Sequence, residues 1–117
     1  MSPITGFGFV GIRSERAADL VKLFALMGAK PDRQSATATS YRLADGSLLE
    51  VYSPQDDFHS FFTTGPVVAF SVDDFTATRS AMLAAGIQFI GDVQVADGVN
   101  WQHFHAPDGA VLEIIGP

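Results

Sequence analysis

At 117 residues with no cysteine, the chain suits one domain able to bury its own core, and it offers neither a disulfide framework nor a thiolate metal site. Seven Lys and Arg against thirteen Asp and Glu give a formal net charge of −6, with the basic residues scattered, which argues against nucleic acid as a partner. The opening MSPITGFGFVGIRSE has no basic stretch leading into a long apolar run, so neither a signal peptide nor a membrane span is read there, and a cytoplasmic protein is expected.

In chain order, GFGFVGI (6–12) has strand character. SERAADLVKLFALMG (14–28) reads as a helix with Ser14 as N-cap, apolar positions at Ala17, Leu20, Leu23, Phe24 and Met27, and Gly28 as its C-cap. TATSYRLA (37–44) and SLLEVYS (47–53) follow as strands joined by a turn. The connection PQDDFHSFFTTGP (54–66) is polar and Pro-bounded, apart from an apolar tip of Phe58, Phe61 and Phe62; His59 within it is expected at the solvent. VVAFSV (67–72) is a strand and DDFTATRSAMLAAG (73–86) a helix ending at Gly86, and then IQFIGDVQV (87–95), VNWQHFHA (99–106) and AVLEII (110–115) are strands.

The two halves therefore run through one series of elements. Asp45, Gly46, Leu49, Glu50 and Pro54 recur as Asp108, Gly109, Leu112, Glu113 and Pro117, each 63 positions later, while the helix-ending glycines are 58 apart and the first strands match at 60, Ile12 with Val72. The expected architecture is α+β: one domain, 1–117, made of two tandem βαβββ repeats at about 4–54 and 66–117, joined by a loop at 55–65, with mixed sheets.

The closing hairpins can be read for register. In APDGA, Pro107 suits the second position of a type I turn and Gly109 the left-handed position after it, which is the pattern of a three-residue hairpin loop. His103 then faces Glu113, and alternation puts Trp101, His103, His105, Val111, Glu113 and Ile115 on one sheet face. The same loop at ADG sets Ser40 opposite Glu50, with Arg42, Leu48 and Tyr52 on that face; Tyr41, Leu43, Leu49 and Val51, or Phe104, Leu112 and Ile114, form the helix-packed side. Each glutamate thus points away from the helices. Its neighbours are too apolar for a solvated face, so the sheets are expected to form a concave cup with carboxylates in it.

Two βαβββ units, each closing with a DG..LE hairpin, resemble the glyoxalase, bleomycin-resistance and extradiol-dioxygenase group, the vicinal oxygen chelate superfamily, over nearly the whole chain. F.APDG..LEI resembles its most recognisable signature. In metal-using members the resemblance implies a divalent cation held by a residue near the start of each unit's first strand, usually histidine, and by the glutamate of each closing hairpin. Those positions fall here on Phe7, Val67, Glu50 and Glu113, and neither Phe7 nor Val67 can ligate. A substitute Glu50, His103 and Glu113 site for a metal is the alternative; the expectation is no metal and no cofactor, with His103 compensating Glu113. Arg42 either reaches toward Glu50 or stays at the surface, and His105 lies at the rim.

The function expected from the resemblance is metal-free binding of a small apolar or aromatic molecule by Phe7, Phe9, Arg42, Tyr52, Val67, Trp101 and His105. The alternative is a lyase, isomerase or dioxygenase-type enzyme using Glu50, His103 and Glu113 as catalytic groups. A homodimer is expected, with no nucleic-acid or membrane partner. No Gly-rich phosphate loop, GxSxG elbow or nucleophilic cysteine is present.

Overall fold

The computed structural model describes residues 4–117, so the first three residues of the stretch read for a leader lie outside it. The chain is α+β, with two helices and a mixture of parallel and antiparallel strands among the described residues. It falls into two compact units, one spanning Phe9–Val67 and the other taking the residues up to Gly8 together with Val68–Pro117. No helix among the described residues is long and apolar enough to cross a membrane.

The first unit holds β1 (Ile4–Arg13) from Phe9 on, α1 (Ala17–Leu26), β2 (Arg33–Gln34), β3 (Ala38–Arg42) and β4 (Leu48–Tyr52), in the sheet order β2-β3-β4-β1. β1 and β4 run parallel, whereas β3 pairs antiparallel with both β2 and β4. The Phe24 ring of α1 meets Tyr41 of β3 edge-on, with centroids 5.9 Å apart, so the Tyr41 side of the sheet is the one the helix covers. Two details differ from expectation. Ser14 does not cap the helix: its hydroxyl accepts from Arg16 N at 3.0 Å, two residues early, and α1 begins at Ala17 with no side-chain cap. The two-residue β2 was not legible, because PDRQSA carries neither β-branched nor aromatic residues and is exposed throughout.

The second unit repeats the order with β5 (Val67–Val72) from Val68 on, α2 (Phe75–Ala84), β6 (Gln88–Ala96), β7 (Val99–His105) and β8 (Val111–Gly116), in the sheet order β5-β8-β7-β6. β5 and β8 are parallel, and β8, β7 and β6 antiparallel. Asp74 caps α2 by accepting from Ala77 N at 3.0 Å. Phe75 and Met82 of α2 pack with Val72, Phe104, Leu112 and Ile114, so the helix-covered side is the one the alternation assigns.

The two hairpins share one geometry. Leu43 N bonds Ser47 O at 2.9 Å and Ala106 N bonds Ala110 O at 2.8 Å, while Asp45 and Asp108 each accept from the backbone two residues on. Gly46 and Gly109 take φ of +87° and +88°, the left-handed conformation that makes glycine the fitting residue there. Ser47 donates to Asp45 through its hydroxyl and its backbone N–H, holding that exposed carboxyl below the usual range.

Two predictions come from this packing. A Cβ on Gly116 would lie 2.1 Å from the carbonyl oxygen of Val72, which is backbone and cannot swing aside. Gly116→Ala is therefore expected to lower stability by about 1–3 kcal/mol or more, read as a shift in urea midpoint; an unchanged midpoint would show that this contact is not tight in solution. Tyr41 is buried, and among the described residues its hydroxyl has no hydrogen-bond partner. Burial pushes its phenol above the ordinary tyrosine range. Above pH about 10 the unfolded phenol ionises while the folded one stays neutral, so its contribution is complete below that pH and is lost as pH rises through the folded value. Tyr41→Phe should be as stable as wild type at neutral pH and lose less stability in alkali, as followed by denaturant titrations at successive pH values.

Candidate functional site

Each unit has a sheet face whose residues alternate with those under its helix, and each closing-hairpin glutamate lies on that face. In the first unit Glu50 is half-buried in β4, and the register sets it opposite Ser40, as the turn requires. The Ser40 hydroxyl donates to Oε2, and the Tyr52 hydroxyl donates to Oε1 at 2.6 Å. Tyr52 is two residues further along the same strand, so alternation put it on the right face, but its role as the second donor went unread. Arg42, expected either to approach this carboxylate or to stay at the surface, is exposed and donates from Nη1 to the Gly46 carbonyl in the turn at 2.9 Å.

The connection after β4 folds onto Tyr52. His59 is not at the solvent: its ring stacks on Tyr52 with centroids 3.8 Å apart and planes 13° from parallel, and its side chain is only 17% exposed. Asp56 holds it there, accepting from His59 N at 3.0 Å and lying 3.1 Å from Nδ1. Arg13 fastens the start of the loop through the carbonyls of Pro54, at 2.8 Å, and Asp56, at 3.3 Å. Phe62 is buried edge-on to Tyr52, Phe61 is half-buried, and Phe58 is exposed. Gly11 makes room, since a Cβ there would come within 2.6 Å of the Phe62 and Phe9 rings. The readable signal was Asp56 three residues before His59, a spacing that lets a carboxylate meet both the backbone and the ring of the histidine.

In the second unit His103 and Glu113 face each other as the register predicts, and Nε2 of His103 lies 2.7 Å from Oε1 of Glu113. Both side chains are almost wholly buried, at 6% and 4% exposure. Val111 and Ala69 border them on the same face and are also buried, and Trp101, paired with Ile115, is half-buried. His105 is exposed near the turn, at the rim. Phe7 is 66% exposed, with its ring 5.7 Å from that of Phe70.

The registers also correct the alignment of the first strands. Gly11 pairs with Glu50 and Ala69 with Glu113, so the first strands correspond at 69 − 11 = 58 positions, the spacing of the helix-ending glycines, and not at 60. Val67 therefore corresponds to Phe9, two residues along from Phe7. Alternation could not separate these alignments, because a two-residue slip leaves every side chain on its own face. Phe9 and Val67 are both buried, and neither has an atom that could ligate a cation.

Among the described residues, no group of three or more His, Cys, Asp and Glu side chains comes together as a metal-binding cluster. The four positions that the superfamily resemblance implies hold two apolar side chains and two carboxylates already met by Ser40 and Tyr52 or by His103, a donor set that does not fit the superfamily's cation.

A pair test follows from the second unit. Removing one partner of a buried ionisable pair strands the other, so His103→Ala should cost about 3–5 kcal/mol. Glu113→Gln keeps the shape and removes the charge, and should cost clearly less in the same denaturant series. Equal losses would mean that packing, and not the carboxylate, sets the cost.

No protein-family model and no curated protein matches the chain. Solved structures do match. The methylmalonyl-CoA epimerase of Mycobacterium tuberculosis superposes with a TM-score of 0.71 at 17% identity, covering 100% of this chain and 91% of that one. A glyoxalase/bleomycin resistance protein/dioxygenase superfamily member from Vibrio splendidus 12B01 gives 0.68 at 11% identity, over 93% and 97%. The Mn(II)-bound glyoxalase of Novosphingobium aromaticivorans gives 0.69 at 20% identity, over 99% of this chain and 40% of that one.

Proposed function

We propose that this protein, which has the vicinal oxygen chelate fold, binds a small apolar or aromatic molecule without a metal. The observation that carries the reading is the state of the two hairpin glutamates: Glu50 accepts from the hydroxyls of Ser40 and Tyr52, and Glu113 lies against His103. Carboxylates that hold a cation direct their lone pairs at it; that of Glu50 accepts from protein hydroxyls, and that of Glu113 lies 2.7 Å from the His103 imidazole. The apolar first-strand positions Phe9 and Val67 support the same reading. On the face of the second unit that carries Glu113, the half-buried Trp101 and Ile115 supply the apolar contact, and His103 and Glu113 the few polar groups, which is the usual make-up of a small-ligand site. The protein is proposed to act as a homodimer, and a light-scattering mass equal to one chain would contradict that.

A second reading rests on the buried imidazole–carboxylate contact of His103 and Glu113. An epimerase and a glyoxalase share the fold, and an enzyme of that kind would use Glu113 as base and His103 as acid in a proton transfer.

Metal analysis of the purified protein separates the readings most quickly. The expected result is far less than one metal ion per chain, with no tight uptake on titration of manganese, iron or zinc; stoichiometric metal that Glu50→Gln abolishes would overturn the metal-free reading. For the ligand, a fluorescence screen of small aromatic compounds reports through Trp101, the only tryptophan. Trp101→Ala should weaken the binding of any hit by on the order of 2 kcal/mol, about 30-fold, and an unchanged affinity would place the ligand elsewhere.

A further inference from the structure

The pairing of β6 with β7 is broken on one side. Ile90 is opposite His103 and Gln94 opposite Trp101, so four steps along β6 answer two along β7, and the residue facing the gap is Gln102. A bulge of this kind leaves backbone groups without ladder partners and re-aims the residues beside it. Gln102 is 2% exposed and turned toward the helix side, away from Trp101 and His103 by alternation. Its amide group satisfies the bulge from behind: Nε2 donates to the Gly91 carbonyl at 2.8 Å, and Oε1 accepts from Arg79 Nε of α2 at 2.7 Å. The Arg79 guanidinium is in turn held over the Phe89 ring, 5.3 Å from its centroid. Val93, inside the bulge, packs into the apolar cluster with Phe104 and Ile114.

One planar amide thus ties three elements together at the point where the ladder on the β6 side of β7 is interrupted, while β8 pairs Gln102 with Ile114 on the other side. Its neighbours in sequence are Trp101 and His103, the two β7 residues assigned to the ligand face. We propose that Arg79 and Gln102 are positioning residues: their hydrogen bonds clamp the β6 bulge and so hold Ile90 beside His103 and Gln94 beside Trp101, fixing the surroundings of those two side chains on the ligand-binding face. The proposal rests on the reading of that face as the binding site. Neither residue touches the ligand. Gly91 has φ of +67°, so the bulge has a defined backbone conformation that the clamp selects, and β6 does not slip into a straight strand. A slip would move Gln94 off Trp101.

The test uses three clamp variants and the Trp101→Ala control, with 8-anilinonaphthalene-1-sulfonate as an apolar aromatic probe. Gln102→Met keeps the bulk and removes both bonds, Arg79→Met removes one of them, and Arg79→Lys keeps the charge. Three quantities are measured: the urea midpoint, the Trp101 emission maximum with its acrylamide quenching, and the probe affinity. In folded protein, Gln102→Met is expected to red-shift and expose Trp101 and to weaken the probe about tenfold, the effect of roughly 1.4 kcal/mol. Arg79→Met should move both readings in the same direction by less, and Arg79→Lys should restore most of the loss. If Gln102→Met does not fold, Arg79→Met carries the test. Unchanged Trp101 emission and probe affinity in folded variants overturn the clamp. Trp101→Ala separates the two levels of the argument. If it abolishes probe binding while Gln102→Met has no effect, only the clamp fails; if Trp101→Ala leaves the probe bound, the ligand face fails and the clamp with it.

Discussion

A carboxylate enters a protein interior at low cost only if hydrogen-bond donors or positive charge enter with it. Each unit of this fold meets that condition at its closing hairpin, and the two solutions differ chemically. Glu50 is answered by neutral hydroxyls, Ser40 across the strand pair and Tyr52 along its own strand. Glu113 is answered by an imidazole, deeper in its unit and almost dry. Much of the surrounding structure follows from keeping these donors in place: the left-handed glycine of each turn sets the register, the parallel first strand covers the glutamate from the other side, and the helix occupies the opposite face. The sheet faces are thus divided by chemistry as well as by geometry, with apolar layers under the helices and satisfied polar groups on the other side.

The hairpin glutamate is the residue that metal-using members of the superfamily give to a cation. Here Glu50 accepts from the Ser40 and Tyr52 hydroxyls and Glu113 lies against the His103 imidazole, while Phe9 and Val67 beside them in the first strands are apolar. A cation and a hydrogen-bond donor meet the same need, positive potential at the carboxylate oxygens. The likeness to epimerase and glyoxalase structures shows the scaffold, and a scaffold by itself does not set the chemistry.

Much of the fold was legible because it depends on local rules. Turn chemistry and alternation placed Ser40 opposite Glu50 and His103 opposite Glu113, and both pairs are found. What escaped depends on longer paths of backbone. The stacking of His59 on Tyr52 requires the loop to turn back over its own strand, and that turn is set by Asp56 and Arg13, whose contacts no pattern of apolar residues encodes. The β6 bulge inserts residues without changing the parity of the strand, so the alternation reads straight through it. The same parity hid the two-residue error in matching Phe7, where Phe9 belongs, to Val67. β2 is too short and too polar to signal itself. Arg42 has a long side chain with several carbonyls in reach, and it took the nearest one in its own turn.

The position of each glutamate's partner also bears on the order in which the chain assembles. Ser40 and Glu50 are ten residues apart, and His103 and Glu113 are likewise 113 − 103 = 10 apart. Both pairs therefore close within a single hairpin, where the entropy of bringing the ends together is small, whereas the parallel strands β1 and β5 must wait for a helix-bearing crossover. Setting the donor beside the carboxylate therefore needs only the short hairpin loop to be ordered, whereas covering the pair from the first-strand side, where Gly11 stands beside Glu50 and Ala69 beside Glu113, needs the longer crossover.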